Sequence, residues 1–162
     1  MAKSFSFNYF GSEIEATSLG TAFMPSTKMI ISSHCIPFTK DGKIIAVNII
    51  GRGIDIPGGH IDDNETAIEA MQREVREEAQ ITIANPVLAD VWRLTSTNTE
   101  LGLSQKPYLL VYATDVQAIN EFIPNNETDK RFTLEPEAFI DSYFGGARMA
   151  RVMIDRASAI QR

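Results

Sequence analysis

The residues best suited to chemistry in this chain are carboxylates that follow a pair of glycines. Gly58 and Gly59 lead into an acidic loop, and then into a segment carrying Glu74, Glu77 and Glu78. Placed about 100° apart around a helix, the three glutamates share one face. Like charges at this spacing repel, so a chain that keeps them together is suited to holding a cation. Oxygen ligands favour Mg²⁺ or Mn²⁺, with water or phosphate oxygens completing the coordination.

The simpler interpretation of such a helix face is that it is only solvated. The glycine pair favours the metal site, because a backbone without Cβ atoms can bend sharply or approach a ligand closely. A carbonyl from this turn can become a further hard oxygen ligand, and Gly58 is a candidate substrate contact.

The sequence predicts that the glutamates lie on a helix that begins after Thr66. Thr66 and Glu69 have the spacing of a capping box, and the segment continues to Ala79 without proline or glycine. Ala67 and Ala70 lie beside the glutamates and are expected to leave open space above that face. An apolar stripe should pack on a sheet: Ile68, Met71, Val75 and Ala79. The residues expected to face solvent are Glu69, Gln72 and Arg76.

The fixed residues also have a definite spacing: Gly59, five residues, Glu65, seven residues, and then Arg73-Glu74-Val75-Arg76-Glu77-Glu78. This resembles the Nudix box of the Nudix hydrolases, G-x5-E-x7-R-E-U-x-E-E-x-G-U, where U is a bulky aliphatic residue. Gln80 is the one departure, because the family usually has glycine there, at a helix end where left-handed residues are common. If Gln80 is left-handed, the strain should be on the order of 1 kcal/mol.

The resemblance implies an α/β/α sandwich around a mixed sheet and Mg²⁺-dependent hydrolysis of a diphosphate that joins a nucleoside to another group, X. It places the metal on the Gly59 carbonyl, Glu74, Glu77 and Glu78. Arg73 is expected to hold the carboxylate of Glu65 or Glu74 in position, and Glu65 is expected to be structural or to orient water.

A general base is needed in addition, because carboxylates bound to cations accept protons poorly. Several Nudix enzymes place a glutamate in a loop near the metals, and Glu127, in the Pro124–Glu127 stretch, resembles that glutamate. Glu74 is the rival base, and His60 is a weaker candidate that could simply face solvent.

The box does not identify X, so nucleoside triphosphates, dinucleoside polyphosphates, ADP-ribose and nucleotide sugars all remain candidate substrates. A second hypothesis keeps the fold but makes the chain a non-catalytic nucleotide sensor or interaction module. Such modules usually lack box carboxylates, and here all are present. Isomerisation of an isopentenyl-diphosphate type is a third alternative, whose box differs from this one.

Composition limits the class of protein. The chain has 162 residues, enough for one domain, with 44% hydrophobic and 22% charged residues. A net charge of −6 argues against non-specific coating of nucleic acid. The lone Cys35 excludes an internal disulfide. Without a basic-apolar leader or an apolar run of about 18 residues, we expect a cytoplasmic protein with no membrane segment.

Residues 1–27 are predicted to be an extended segment added to the Nudix-like domain. Phe5, Phe7 and Tyr9 alternate with polar residues, as in a strand, and Gly11-Ser12 could turn that strand into a hairpin. The hairpin is expected to cover a sheet edge or the core. The alternatives are an arm for homodimerisation or a group of rings that stack on a base.

The remaining segments predict strands, loops and two C-terminal helices. His34 and Cys35 are neighbours on one strand and must face opposite sides, so Cys35 is assigned to the core. Arg52, in a glycine-rich turn, is either a phosphate contact or a solvated arginine. The predicted strands are 28–38, 44–50, 86–94 and 107–114, the loops are 95–106 and 120–131, and the helices are 134–145 and 147–160.

Overall fold

The computed structural model describes residues 3–160, which form one mixed sheet of nine strands and three α-helices. The strands are β1 (Lys3–Tyr9), β2 (Ser12–Ser18), β3 (Ile30–Phe38), β4 (Ile44–Ile49), β5 (Gly53–Asp55), β6 (Gly58–His60), β7 (Ile81–Thr95), β8 (Tyr108–Ile119) and β9 (Thr128–Leu134). The helices are α1 (Ala67–Glu78), α2 (Pro136–Ser142) and α3 (Ala147–Ile160), with short 3-10 turns at Thr27–Met29 and Thr99–Leu101.

The sheet is organised around β3, which has different neighbours along its length. The main strand order is β1-β2-β7-β8-β3-β4-β5, with β6 paired to β3 and β9 paired to β4. Among the strand pairs within residues 3–160, the pairing of β3 with β8 is the parallel one and the others are antiparallel. The glycine strand β6 pairs with β3 at Ser33↔Gly59 and His34↔Gly58. Those two backbone pairings hold the glycine turn against the centre of the sheet.

Helices cover both faces of the sheet, which confirms the predicted α/β sandwich. On one face α1 contributes Met71 and Val75 to a core that includes Cys35 and Ala79, the residue that follows the helix. The opposite face carries α2 and α3, with a core that includes Trp92. The assignment of Cys35 to the core is therefore confirmed.

Two details of the predicted α1 are wrong. Ile68 is 36% exposed, because α1 reaches the sheet through a narrower stripe than the apolar pattern suggested. Ala70 is completely buried, so it does not leave open space beside the glutamates. A small residue at that point lets the helix lie close to its neighbours. The capping box is confirmed, with Thr66 and Glu69 each accepting a backbone hydrogen bond from the other.

The predicted loop over 120–131 is wrong at its C-terminal end, where β9 begins at Thr128. β9 pairs with β4 from Ile49↔Thr128 to Ile44↔Leu134. Its first residues include Asp129, Lys130 and Arg131, and these charges concealed an edge strand, where polar side chains are tolerated. β7 and β8 also extend beyond their predicted ranges.

The N-terminal residues form a hairpin of β1 and β2, and β2 continues the sheet by pairing with β7. The rings of β1 face the core: Phe5 lies 6.1 Å from Trp92, and Phe7 lies 5.6 Å from Phe144, measured between ring centroids. The hairpin therefore covers a sheet edge and part of the core. Among residues 3–160, no helix is long and apolar enough to cross a membrane.

Candidate active site

The guanidinium of Arg73 organises the acidic side of α1. Its Nε donates a hydrogen bond to Glu65 at 2.8 Å, and its Nη1 donates to Glu74 at 2.8 Å. Nη2 donates to the carbonyl of His60 at 3.1 Å. These bonds lower the pKa of Glu65 and raise that of Arg73 above its usual value. Arg73 thus contacts both carboxylates that the sequence offered as its partners and ties them to the end of β6.

Glu74 packs directly on the backbone of the glycine turn. A Cβ atom added to Gly59 would lie 2.5 Å from the carboxyl carbon of Glu74, far inside normal contact. Glycine at position 59 is therefore what lets this carboxylate reach the turn. With Arg73 on one side and the turn on the other, the Glu74 carboxyl is fixed in one place.

Glu78 approaches the glycine turn from one helical turn further along α1. The backbone N–H of Gly58 donates to Oε2 of Glu78 at 3.4 Å. Burial, with the nearby charges of Asp55 and Glu74, raises the pKa of Glu78 to about 8. Burial also raises the pKa of Glu74, against the opposing effect of Arg73. Burial removes water from these two carboxylates, and their hydrogen bonds do not fully replace it. A bound cation would compensate for the lost hydration.

The donors at the turn fit Mg²⁺ because all of them are oxygen atoms. Glu74 and Glu78 converge on the turn whose carbonyl belongs to Gly59. Glu77 is set further out, with a side chain 60% exposed and 3.5 Å from Arg73. Across residues 3–160, no three Asp, Glu, His or Cys side chains gather into a metal site by themselves. A hexacoordinate ion here would therefore combine two or three glutamates with backbone, water and phosphate oxygens, as is usual for Mg²⁺.

A cavity of about 580 Å³ opens beside the glycine turn. The glycine turn, Glu78 and Glu127 are among its polar lining residues, and its lining is mostly apolar. Several elements far apart in sequence supply that interior: Phe7, Tyr9, Leu94, Leu101, Leu103, Phe144, Met149 and Met153. The volume lies within the range of small-molecule sites, about 300–1,000 Å³.

Arg52 lies in the wall of this cavity, and its solvated alternative is wrong. Its Nη1 donates to Asp55 at 3.0 Å, and its side chain is only 20% exposed. The guanidinium lies 5.1 Å from the ring centre of Tyr9 and 5.7 Å from that of Phe144. Arg52 is therefore an ion-paired, ring-flanked group that joins the N-terminal hairpin to the cavity.

Glu127 also lines the cavity, as does Glu78 of the box. Burial is the main cause of the raised pKa of Glu74, and the negative charge of Glu127 adds to it. The side chain of Asn125 accepts hydrogen bonds from the backbone N–H groups of Glu127 and Thr128, at 2.9 and 2.8 Å. Glu127 itself is exposed and makes no ion pair within the described part of the chain.

Comparison with known proteins agrees with this geometry. Residues 30–153 match the family model described as the NUDIX domain. The chain belongs to the Nudix family. No curated protein sequence matches it.

Solved structures share the Nudix fold at low identity. The Bacillus subtilis pyrophosphohydrolase BsRppH, solved as a point mutant, is 15% identical with a TM-score of 0.72, covering 98% of this chain and 97% of its own. A NUDIX hydrolase from Nitrosomonas europaea is 20% identical with a TM-score of 0.61, covering 83% and 92%. An ADP-ribose pyrophosphatase from Streptococcus suis is 18% identical with a TM-score of 0.57, covering 76% and 88%.

Beside the Nudix box, the structure adds residues that sequence reasoning did not assign to the site. Asp55 pairs with Arg52, and His34 lies in the cavity wall opposite Cys35 on its strand. Asn125 orients the backbone of Glu127. The alternation of β3 correctly separated His34 from Cys35, but no local signal placed His34 or Asp55 beside the box.

Proposed function

We propose that this Nudix protein is a Mg²⁺-dependent hydrolase of a nucleoside diphosphate linked to a second moiety, X. The observation that carries the proposal is the convergence of Glu74 and Glu78 on the Gly58–Gly59 turn at the mouth of an apolar cavity. Carboxylates suited to a cation that binds phosphates would then lie beside a space suited to an organic group. The structural neighbours named as a pyrophosphohydrolase and an ADP-ribose pyrophosphatase support the same reaction class.

In this proposal Glu74, Glu77, Glu78 and the carbonyl of Gly59 hold Mg²⁺, or Mn²⁺ in its place. When bound, the ion neutralises diphosphate oxygens and makes water a better nucleophile. Arg73 keeps the carboxylates of Glu74 and Glu65 in fixed orientations through its two 2.8 Å bonds. Residues that contact the ligands of a metal, and not the metal itself, commonly fix the orientation of those ligands in this way.

Glu127 is the proposed acceptor of the proton from the attacking water. The water oxygen forms a bond to one phosphorus as the bond from that phosphorus to the bridging oxygen breaks. Glu127 is better placed for this than Glu74, because the carboxyl of Glu74 is occupied by Arg73 and the glycine turn. Glu74 remains the alternative base.

Moiety X, or the base of the nucleoside, is proposed to enter the apolar cavity. Gly58 would lie along the diphosphate at the rim, and Arg52 would contact the buried group from the wall. Phe7 and Tyr9 offer aromatic surface, which favours a flat base over a highly hydroxylated sugar. This interior includes residues of β1, outside the segment matched by the family model.

The deciding experiment measures release of phosphate or pyrophosphate from a panel of nucleotides with Mg²⁺. The panel includes nucleoside triphosphates, dinucleoside polyphosphates, ADP-ribose and nucleotide sugars. Turnover that requires the divalent ion and disappears with chelator supports the proposal. Nucleotide binding without turnover of any compound would instead favour the sensor function.

The cavity assignment is tested with Tyr9→Ala. Loss of base stacking, worth about 1–3 kcal/mol, should raise KM about 5- to 150-fold for substrates with a second base. Phe5→Ala is the matched control, because Phe5 lies on the same face of β1 but packs on Trp92 outside the cavity. Equal KM values for the Tyr9→Ala variant and the parent would remove the hairpin from substrate recognition.

A further inference from the structure

Gln80, the one departure from the Nudix box, has a backbone conformation that favours glycine. Its φ is +55°, and it follows the last turn of α1. Left-handed backbone is unfavourable for a residue with a Cβ atom, so a glutamine here needs a compensating interaction. The structure contains one.

The side-chain amide of Gln80 makes two reciprocal hydrogen bonds with one distant residue. Its Nε2 donates to the carbonyl of Ile123 at 2.8 Å, and the N–H of Ile123 donates to its Oε1 at 2.9 Å. The carbonyl of Gln80 also accepts from the N–H of Asn120 at 3.2 Å. The side-chain amide and the backbone carbonyl of Gln80 therefore both bond segment 120–123.

Arg131 strengthens the same junction from the far side. Its Nη1 donates to the carbonyl of Ala79 at 2.9 Å, at the negative end of the α1 dipole. Its guanidinium also lies 5.4 Å from the ring centre of Phe122. We call the contacts of Gln80 and Arg131 with residues 120–123 the Gln80 clamp.

The Gln80 clamp holds one end of the loop that carries Glu127. The other end is fixed where the N–H of Ile50 donates to the carbonyl of Glu127 at 2.9 Å, and where Asn125 accepts the N–H of Glu127. Only residues 124–126 separate the two anchors. Release of the clamp would free the loop on one side while leaving the strand pairing of β9 intact.

We propose that Gln80 is a positioning residue that sets the location of Glu127 relative to the box glutamates. Glycine would adopt the left-handed backbone at this helix end equally well, but it has no side-chain amide to hold the loop. Asparagine tolerates left-handed backbone better than glutamine, yet it is one methylene shorter and cannot reach Ile123 in the same way. The effect on catalysis rests on the proposed function, whereas the effect on the loop does not.

The experiment compares Gln80→Gly and Gln80→Asn with the parent. Both variants relieve backbone strain but lose the two bonds to Ile123, so the melting temperature should change little. Amide exchange across 120–127 should accelerate about tenfold or more, because the loop opens locally. The kcat should fall about 10- to 100-fold, as expected for misplacement of a reacting group by about 1 Å, while KM stays within about threefold.

Asn85→Gly is the matched control. Asn85 also has a left-handed backbone, with φ of +54°, and its side chain bonds Asp115 at 2.9 Å, so the variant loses a comparable contact elsewhere on the sheet. It should leave both loop exchange and kcat unchanged. In a Glu127→Gln background, Gln80→Gly should produce little further loss of kcat, because the group it positions is already gone.

Unchanged exchange of 120–127 in both Gln80 variants would overturn the proposal. Faster exchange of this loop in the variants together with a parental kcat would also overturn it, because the clamp would then hold the loop without positioning the base. A parent with no turnover on any nucleotide refutes the proposed function instead. In that case faster loop exchange still supports the clamp, and unchanged exchange refutes it.

Discussion

Gly59→Ala tests directly whether the glycine turn and α1 form one site. A Cβ at this position would lie 2.5 Å from the Glu74 carboxyl carbon, whereas ordinary contact begins at 3.4 Å. The carboxyl group must therefore move by about 0.9 Å, the difference between these two distances. The atom that moves is the end of a flexible side chain, not backbone.

The displacement should affect activity much more than stability. Misplacement of a catalytic group by about 1 Å costs up to about 100-fold in rate, or about 2.7 kcal/mol. Overpacking costs about 1–3 kcal/mol, and a movable side chain places this case at the lower end. At about 1 kcal/mol, the melting temperature of a chain of this size falls by about 2–4 °C. We expect kcat/KM to fall about 30- to 100-fold with that small loss of stability.

The assay is Mg²⁺-dependent turnover of the best substrate, with thermal unfolding measured in parallel. Gly42→Ala is the control, because Gly42 has φ of +81° and nothing within 4 Å of the added Cβ, so it should lose stability and keep activity. In a Glu74→Ala background the collision is absent, and Gly59→Ala should then cost almost no stability. Parental activity of Gly59→Ala, or an equal stability loss in both backgrounds, would refute the proposed contact.

Three further predictions concern single side chains. Glu77→Gln and Glu78→Gln should each lower activity at least about 100-fold while the melting temperature holds or rises, because repulsion is relieved; near-parental turnover in both would remove them from the metal site. Glu127→Gln should lower kcat by about 10²- to 10⁴-fold with KM nearly intact, and turnover within about threefold of the parent would return the base to Glu74. Burial lowers the pKa of His34 below 6.5, so the unfolded chain binds more protons and the free energy of unfolding should fall as pH drops below 6.5. His34→Gln should flatten that dependence, as followed by denaturant unfolding between pH 5 and 7, and an unchanged dependence in the variant would contradict the assignment to His34.

The box helix was the most predictable part of the molecule because its signals are local. The capping box, the helix span and the left-handed φ of Gln80 all depend on residues within a few turns of one another. Helical spacing also placed Glu74, Glu77 and Glu78 on one side. It could not distinguish the more buried Glu78 from the exposed Glu77. Periodicity predicts the direction of a side chain around the helix axis, but not how closely that side of the helix packs on the glycine turn.

The cavity and β9 were hidden for different reasons. β9 carries charged residues on an edge strand, so it lacks the apolar alternation that marks a half-buried strand. The cavity is assembled from β1, the 95–106 loop, the connection between α2 and α3, and α3, which meet only through the long-range order of the sheet. The same limit applies to the pair formed by Gln80 and Ile123, which lie 43 residues apart.

Two features of this chain depart from or lie outside the family pattern, and each contacts a different part of the site. The hairpin ring of Tyr9 lines the cavity for the organic group, whereas Gln80 holds the loop of Glu127 at the mouth. In the proposed function the box carries the phosphate chemistry, so these features would act on what the box leaves open, the identity of X and of the base. Recognition and proton transfer are then separable: changes at Tyr9 should act mainly on KM, and changes at Gln80 mainly on kcat. Because β1 and the 120–127 loop reach the cavity from different sides, the two effects should also be additive when combined.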